Sequence, residues 1–124
     1  MSSATLLIAH GSPEARSNSD FLKLVKKFTK KHAKGKTVGA FLKLADPGIF
    51  EGIEICVRSG ATEIFVLPLM FFWGRHVKED IPKLIEDARA RYPGIRFHCA
   101  GAMTDAPEFL NFLQHCVQSL KGNA

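Results

Sequence analysis

Two of the five histidines in this 124-residue chain stand where chemistry is expected, shortly after apolar runs. His10 follows the run ATLLIA (4–9), and His76 lies in a longer segment that follows TEIFVLP (62–68). A neutral imidazole is a common nitrogen ligand for borderline divalent metals, and two of them with open coordination positions suit a metal that must be released again. Either residue alone could cap a helix or bond a carbonyl, but the pair favours a metal site. The remaining histidines are predicted to be structural or surface residues: His32, His98 and His115.

The elements that position this pair are predicted from four apolar runs, each followed by a segment with helical spacing. The predicted strands are 4–9, 37–43, 62–68 and 95–99, and the predicted helices are 14–34, 47–59, 80–91 and 106–120. This alternation is typical of a parallel sheet wrapped by helices, and continuous apolar runs indicate strands buried on both faces. We expect one open, doubly wound, four-stranded α/β domain over residues 1–124, in flavodoxin-like strand order. Ligands bind such sheets at the carboxyl ends of the strands, where His10 and His76 would meet.

Local signals mark where several predicted helices begin. Asp46 followed by Pro47 predicts an N-cap with proline at the first helical position. Asp80 is predicted to cap the third helix, with Pro82 in its first turn. The last helix opens near Asp105 and carries apolar residues at helical intervals: Phe109, Leu110, Phe112, Leu113, Cys116, Val117 and Leu120.

The segments after the first and third strands hold further candidate ligand contacts. Gly11 and Ser12 could present backbone N–H groups and a hydroxyl to an anion at the start of the first helix. No phosphate-loop, dinucleotide or nucleophile-elbow motif accompanies them. Three consecutive aromatic residues, Phe71, Phe72 and Trp73, cannot all face one direction, so at least one is expected to be exposed. An exposed ring there would suit a planar ligand or a subunit interface equally well.

Charge and cysteine content narrow the class of protein. The net charge of +5 includes a lysine-rich run over 23–36, which is typical of a solvated helix face. A basic surface can bind nucleic acid or attract an anionic small molecule, and charge alone does not decide between them. The three cysteines form no C-x-x-C pair, so we expect reduced, mostly buried thiols rather than a disulfide framework or a structural metal site.

Length and hydropathy bear on location and assembly. No apolar run reaches the roughly 20 residues of a membrane-spanning helix, and the first residues lack the pattern of a secretory signal. A cytoplasmic protein without a membrane partner is therefore expected. A sheet of four strands is narrow for an open sheet, which leaves room for a partner subunit.

Four segments of this chain resemble the small CbiX-type sirohydrochlorin chelatases, relatives of the larger class II chelatases. The matching segments are LLIAHGS (6–12), AFLKLADP (40–47), GATEIFVLPL (60–69) and GRHVKEDIP (74–82). They extend in the expected order over most of residues 5–90, whereas the last third matches only in outline. The resemblance implies that His10 and His76 bind the metal and are catalytic. It also implies a homodimer enclosing a shared cavity.

The activity implied by the resemblance is that of a lyase, a sirohydrochlorin cobaltochelatase of cobalamin biosynthesis. The divalent metal would be a substrate, with Co²⁺ the first choice and Ni²⁺ or Fe²⁺ possible, and no organic cofactor is expected. Sirohydrochlorin is a planar macrocycle with eight carboxylates, so a basic pocket with an aromatic wall would be apt. The predicted substrate contacts are Ser12, Arg16, Lys43, Phe72, Trp73, Arg75 and Lys78. One histidine of the metal pair would also accept a pyrrole proton.

This chain departs from the resembled family at Lys43, where many relatives carry an acidic residue. A protonated amine cannot ligate a metal, so Asp46, Glu79 and Asp80 are candidates to compensate. Lys43 also gives weight to an alternative, a carrier that holds metal or tetrapyrrole without catalysing insertion. A sirohaem ferrochelatase is a second alternative. A nucleic-acid-binding domain is the third, and no basic motif interleaved with aromatic residues supports it.

Overall fold

The computed structural model describes residues 2–32 and 34–122 and contains four strands, four α-helices and two short helical turns. In chain order these elements are β1 (Ser3–Ala9), α1 (Ala15–His32), β2 (Lys36–Phe41), α2 (Ile49–Arg58), β3 (Glu63–Pro68), a π-helical turn (His76–Asp80), α3 (Ile81–Arg91), β4 (Arg96–Cys99), a 3₁₀ turn (Met103–Asp105) and α4 (Glu108–Gly122).

The four strands form one parallel sheet in the order β2-β1-β3-β4. This confirms the predicted open, doubly wound α/β architecture and its flavodoxin-like order. From β1 the chain crosses to β2 at one edge of the sheet. From β2 it crosses back past β1 to β3 and then continues to β4 at the other edge. Because such crossovers are right-handed, α1 lies on one face of the sheet and α2 and α3 on the other.

The core divides between these two faces, and β1 contributes to both. Leu6 and Ile8 join the larger core beneath α2 and α3, whereas Leu7 joins the smaller core with Phe21 and Val25 of α1. All three β1 side chains are buried, and full burial of such a side chain stabilises the fold by about 1.5–3 kcal/mol. The strand that leads into His10 is therefore held firmly from both sides.

Strand β3 is covered on one face only, which corrects the prediction that it is buried on both. Ile64 and Val66 are buried beneath α2 and α3, whereas Phe65 and Leu67 on the opposite face are exposed. α1 covers β1 and β2 on that side. The half of the sheet formed by β3 and β4 is thus left open there.

One predicted helix start was wrong, and one predicted capping bond is absent. α2 begins at Ile49, after a cis peptide between Asp46 and Pro47, so Asp46 is a loop residue rather than its N-cap. The Pro47 carbonyl accepts a hydrogen bond from the Phe41 N–H at 2.8 Å, which holds this loop against the end of β2. α3 begins directly after Asp80 with Pro82 in its first turn, as predicted, but Asp80 makes no side-chain capping bond, because the π-helical turn precedes it.

The cysteines are only partly as expected. Cys56 of α2 is buried, and burial raises the pKa of its thiol to about 11. Cys99 and Cys116 are exposed, so the expectation of mostly buried thiols was wrong. Within the described ranges, no helix has the length and apolar character needed to cross a membrane.

Candidate metal site

His10 and His76 meet at the carboxyl edge of the sheet, although 66 positions separate them in the chain. His10 directly follows β1, His76 opens the π-helical turn after β3, and these two strands are parallel neighbours. Their Nε2 atoms lie 3.1 Å apart, with the ring planes inclined at 62°. Two nitrogens that bind one metal at about 2.0–2.1 Å each lie about 2.9–3.4 Å apart. The observed separation is therefore suited to one shared ion.

The other nitrogen of each ring faces an acceptor. Nδ1 of His10 lies 3.0 Å from the carbonyl oxygen of Gly11, and Nδ1 of His76 lies 2.7 Å from Oδ2 of Asp80. A carbonyl and a carboxylate only accept, so in both rings Nδ1 is the atom that carries the proton. In the neutral rings each Nε2 then presents a bare lone pair toward the other. A metal or a shared proton between the two nitrogens would satisfy both lone pairs.

The backbone beside His10 is packed closely against the segment that follows β2. The N–H of Lys43 donates to the His10 carbonyl at 3.1 Å, and the N–H of Leu42 donates to the Ala9 carbonyl at 2.9 Å. Gly11 has φ 95°, and a Cβ built on it would lie 1.7 Å from the Lys43 carbonyl oxygen. Only glycine therefore allows the two backbone segments to approach this closely. Their contact fixes the position of the His10 backbone that carries the imidazole.

His76 is positioned by the π-helical turn that sequence analysis missed. The N–H of Ile81 donates to the His76 carbonyl, and Val77 within the turn is buried. His76 and Asp80 are four residues apart, a spacing that brings side chains together on one helical face. Asp80 therefore orients the imidazole, where sequence analysis predicted a helix cap. The i, i+4 spacing was the available signal.

An open cavity of about 440 Å³ adjoins the pair, and its charged walls come from the segment after β2 and from α3. Its lining residues are Leu42, Lys43, His76, Asp80, Lys83, Leu84 and Asp87. The structure thus places Lys43 beside His76, and its role as a substrate contact stays a prediction. The structure also places Lys83 there, which sequence analysis missed although it lies one helical turn beyond Asp80.

Three of the other predicted substrate contacts on charged or polar side chains already have partners. The Ser12 hydroxyl accepts from the Glu14 N–H at 3.0 Å. Nε of Arg16 lies 3.9 Å from Oδ2 of Asp20, and Nε of Arg75 lies 3.7 Å from Oε2 of Glu79. Both ion pairs are largely exposed, so they are weak and exchangeable. Lys78 is exposed, and these residues stay predictions as substrate contacts.

The three consecutive aromatic side chains are all exposed but point to different surroundings. Phe72 is 72% exposed, and the Phe71 ring lies 5.6 Å from that of Phe109. The Trp73 indole N–H donates to Asp105 at 2.7 Å and its ring packs on Gly101. Roles for Phe72 and Trp73 in substrate binding likewise stay predictions.

The three acidic residues that could compensate for the missing carboxylate at position 43 lie in different surroundings. Asp80 bonds the His76 ring, Glu79 pairs with Arg75, and Asp46 lies exposed in its loop. Across residues 2–32 and 34–122, no three side chains of His, Cys, Asp or Glu form a group that could hold a metal ion. Coordination by this chain would therefore rest on two nitrogens, with the remaining positions open.

The family to which the chain belongs follows from comparison with known proteins. The family model described as CbiX matches residues 4–120. The chain belongs to the CbiX family. This CbiX chain is 31% identical over 123 residues to the chloroplastic sirohydrochlorin ferrochelatase of Arabidopsis thaliana, covering 96% of this chain and 55% of that protein. It is also 31% identical over 98 residues to a sirohydrochlorin cobaltochelatase of Priestia megaterium, covering 76% of this chain and 30% of the other.

A solved structure shares the fold of this CbiX chain. The sirohydrochlorin chelatase SirB of Bacillus subtilis subspecies spizizenii, in complex with cobalt, superposes with a TM-score of 0.85 and 30% identity. The match covers 96% of this chain and 51% of SirB. The chain therefore spans about half, or less, of the length of these relatives.

Proposed function

We propose that this chain inserts a divalent metal into a sirohydrochlorin-type tetrapyrrole, with His10 and His76 as the metal-handling pair. The observation that carries the proposal is the 3.1 Å approach of two Nε2 atoms in rings whose Nδ1 atoms both face an acceptor. A divalent metal between the two Nε2 atoms would be bound by both lone pairs. The names of the relatives support the choice of substrate. The metal is itself a substrate, and no organic cofactor is proposed.

The two-nitrogen site suits delivery better than storage. Structural metal sites are closed by four protein ligands, whereas a site that exchanges its metal keeps open positions. With two positions filled by His10 and His76, the pyrrole nitrogens can enter the others before either imidazole leaves. Transfer then proceeds by exchanging one nitrogen ligand for another.

Insertion releases two protons from the pyrrole nitrogens as the divalent metal enters the ring. When the metal leaves an imidazole, its Nε2 lone pair becomes free to accept one of these protons. Asp80 keeps the His76 Nδ1 proton in place, so Nε2 stays the basic atom throughout. We therefore assign to His76 the acceptance of one proton, the other passing to solvent at the open site, and to Asp80 a positioning role.

Asp80→Ala is expected to weaken cobalt binding and slow insertion by about 10–100-fold, the usual effect of removing the partner that orients a metal-binding histidine. Cobalt titration and the absorbance change of the macrocycle measure the two effects. Glu54→Ala is the matched control, because Glu54 also pairs at i, i+4, with Arg58, on the surface of α2. If both variants behave alike, Asp80 has no positioning role.

The two lysines in the cavity beside His76, which Asp80 and Asp87 also line, are proposed to receive carboxylates of the macrocycle. Lys43 and Lys83 both line it, so Lys83→Gln is expected to raise KM roughly 2–5-fold with little change in kcat, the effect of losing an exposed ion pair. Lys27→Gln, on the exposed face of α1, is the control for net charge. A change in kcat without a change in KM would contradict this assignment.

Cobalt is proposed as the metal, as the sequence resemblance suggests, with Ni²⁺ and Fe²⁺ as the alternatives. Two imidazoles accept all three, following the general divalent affinity order. The relatives carry both cobaltochelatase and ferrochelatase names. Choice of metal must therefore be measured rather than inferred from the ligands.

The deciding experiment combines purified protein with sirohydrochlorin and Co²⁺, Ni²⁺ or Fe²⁺ in turn. A chelatase accelerates insertion over the uncatalysed reaction, and the three rates rank the metals. A carrier, the alternative that Lys43 favours, would bind metal or macrocycle in a single-turnover assay without acceleration. If the protein binds metal or macrocycle but accelerates the insertion of none of the three metals, it is a carrier rather than a chelatase.

The assembly and location of the protein belong to the same proposal. We propose a homodimer acting in the cytoplasm, without nucleic acid or membrane as partner. The resemblance to the small CbiX-type chelatases is what supports the homodimer.

A further inference from the structure

The pair of metal-binding histidines has a cation beside it. Lys43 lines the same open cavity as His76, and the Lys43 N–H donates to the His10 carbonyl at 3.1 Å. Lys43 is therefore held next to both proposed ligands, and its exposed side chain carries a positive charge. A divalent metal bound by the two imidazoles is also positively charged. Lys43 thus opposes the ion that the site is proposed to hold.

The charge of Lys43 is not neutralised by a carboxylate in the described part of the chain. Among the residues that the structure describes, no ion pair includes Lys43. Lys83, the other lysine of the cavity, lies three residues after Asp80 and four before Asp87, spacings that bring side chains to one helical face. Two carboxylates of its own helix therefore offset the charge of Lys83 in part, whereas the charge of Lys43 is left for a ligand.

The cavity is small enough for this charge to act on a bound metal. A volume of about 440 Å³ makes the cavity about as wide as the Debye length in physiological salt, which is about 8 Å. Charges on its walls are therefore only partly screened from one another. The repulsion between a unit charge and a divalent ion is twice that between two unit charges, so at this distance in water Lys43 should lower metal affinity on the order of 3–10-fold.

We propose that Lys43 makes metal binding depend on prior binding of the macrocycle, an inference that rests on the proposed function. In the free protein, the Lys43 ammonium repels a divalent ion from His10 and His76. A carboxylate of the macrocycle that pairs with Lys43 cancels this repulsion, so the metal binds more tightly once the macrocycle is in place. Because coupling between two ligands is reciprocal, bound metal tightens macrocycle binding by the same factor.

This dependence protects an open metal site from unproductive occupants. Two imidazoles follow the general divalent affinity order, so alone they would hold Cu²⁺ or Zn²⁺ as readily as the metal to be inserted. The unpaired charge of Lys43 keeps such ions out until a macrocycle is present to receive one. Insertion then proceeds with the macrocycle bound first and the metal second.

Titration of the full-length protein with Co²⁺ alone is the first test. Lys43→Gln is expected to tighten cobalt binding about 3–10-fold, and the gain should shrink as salt is added. Lys43→Arg keeps the charge and should bind cobalt as the wild type does. Lys27→Gln is the control, because it removes the same charge from the exposed face of α1. Unchanged or weaker cobalt binding by Lys43→Gln overturns the inference, as does an equal gain in Lys27→Gln.

Titration of the metal-free protein with sirohydrochlorin is the second test. Lys43→Gln is expected to weaken macrocycle binding about 2–5-fold, the effect of losing an exposed ion pair. The opposite signs for metal and macrocycle distinguish this electrostatic role from a structural one, which would weaken both. Tighter cobalt binding with unchanged macrocycle binding overturns the coupling.

The KM for cobalt at saturating macrocycle tests the coupling during insertion. It should be nearly equal in the wild type and in Lys43→Gln, because the lysine charge is neutralised in one and absent in the other. If this KM falls in Lys43→Gln by the same factor as the cobalt Kd of the protein alone, the macrocycle does not neutralise Lys43 and the inference is wrong.

The two titrations do not require turnover, so they separate this inference from the proposed function. If no metal is inserted but both titrations shift as expected, Lys43 couples the two ligands in a carrier and the chelatase proposal fails. If metal is inserted but neither titration shifts, the chelatase proposal stands and the role of Lys43 is overturned.

Discussion

Replacing either His10 or His76 by alanine is expected to lower metal insertion at least about 100-fold. Each variant removes one of two nitrogens lying 3.1 Å apart and leaves a single imidazole, which is a weak ligand on its own. Removing a partner that only orients a ligand already costs about 10–100-fold, so removing the ligand itself should cost more. Cobalt affinity and the macrocycle absorbance are the two measurements.

The control for this pair is His32→Ala, which removes a histidine at the end of α1, away from the carboxyl edge of the sheet. All three variants should unfold near the wild-type temperature, because the replaced rings lie outside both cores. Wild-type insertion rates in His10→Ala and His76→Ala would remove the proposed site. Loss of insertion with unchanged cobalt affinity would instead make the histidines proton acceptors only.

The convergence of His10 and His76 was predictable because it depends on strand order rather than on side-chain detail. Alternating apolar runs and helical segments indicate a parallel sheet, and a flavodoxin-like order makes β1 and β3 neighbours. His10 directly follows β1, and His76 begins the turn that leads from β3 into α3, so both lie at the carboxyl edge of the sheet. Sequence alone therefore located the pair, although the distance between the rings required coordinates.

Asp80 shows where sequence interpretation reached its limit. An aspartate two residues before Pro82 has the pattern of a helix cap, and the same aspartate four residues after His76 has the pattern of a ring partner. The two roles exclude one another, and the outcome depends on whether the helix starts before or after Asp80. The π-helical turn begins it at His76, a choice that depends on tertiary packing around Val77 and not on local preference.

The same limit applies to the last helix. Its apolar periodicity correctly predicted α4, but periodicity specifies only that a stripe exists and not what covers it. The turn before α4 is fixed by hydrogen bonds from Met103 and Thr104 to the carbonyls of Met70 and Phe71, which set where the helix begins. Contacts between residues about 33 positions apart leave no local pattern in the sequence.

Gly11→Ala is expected to have the largest effect of any change outside the ligands themselves. The new Cβ would lie 1.7 Å from the Lys43 carbonyl oxygen, on a residue whose φ of 95° already disfavours alanine. The segment after β2 must then move, breaking the bond between the Lys43 N–H and the His10 carbonyl. We expect the free energy of unfolding to fall by about 2–4 kcal/mol, combining backbone strain with the clash.

Activity should fall further than stability, because displacing His10 by about 1 Å can cost on the order of 100-fold in rate. Gly60→Ala is a matched control: its φ is 92°, but nothing among the described residues lies within 4 Å of the added Cβ. It should lower the free energy of unfolding by about 1 kcal/mol and leave insertion unchanged, since only the backbone term applies. If the free energy of unfolding falls equally in the two variants, the segment that holds Lys43 moves away from the new Cβ at little energetic cost. His10 would then owe its position to β1 alone, and the close packing at Gly11 would have no part in building the metal site.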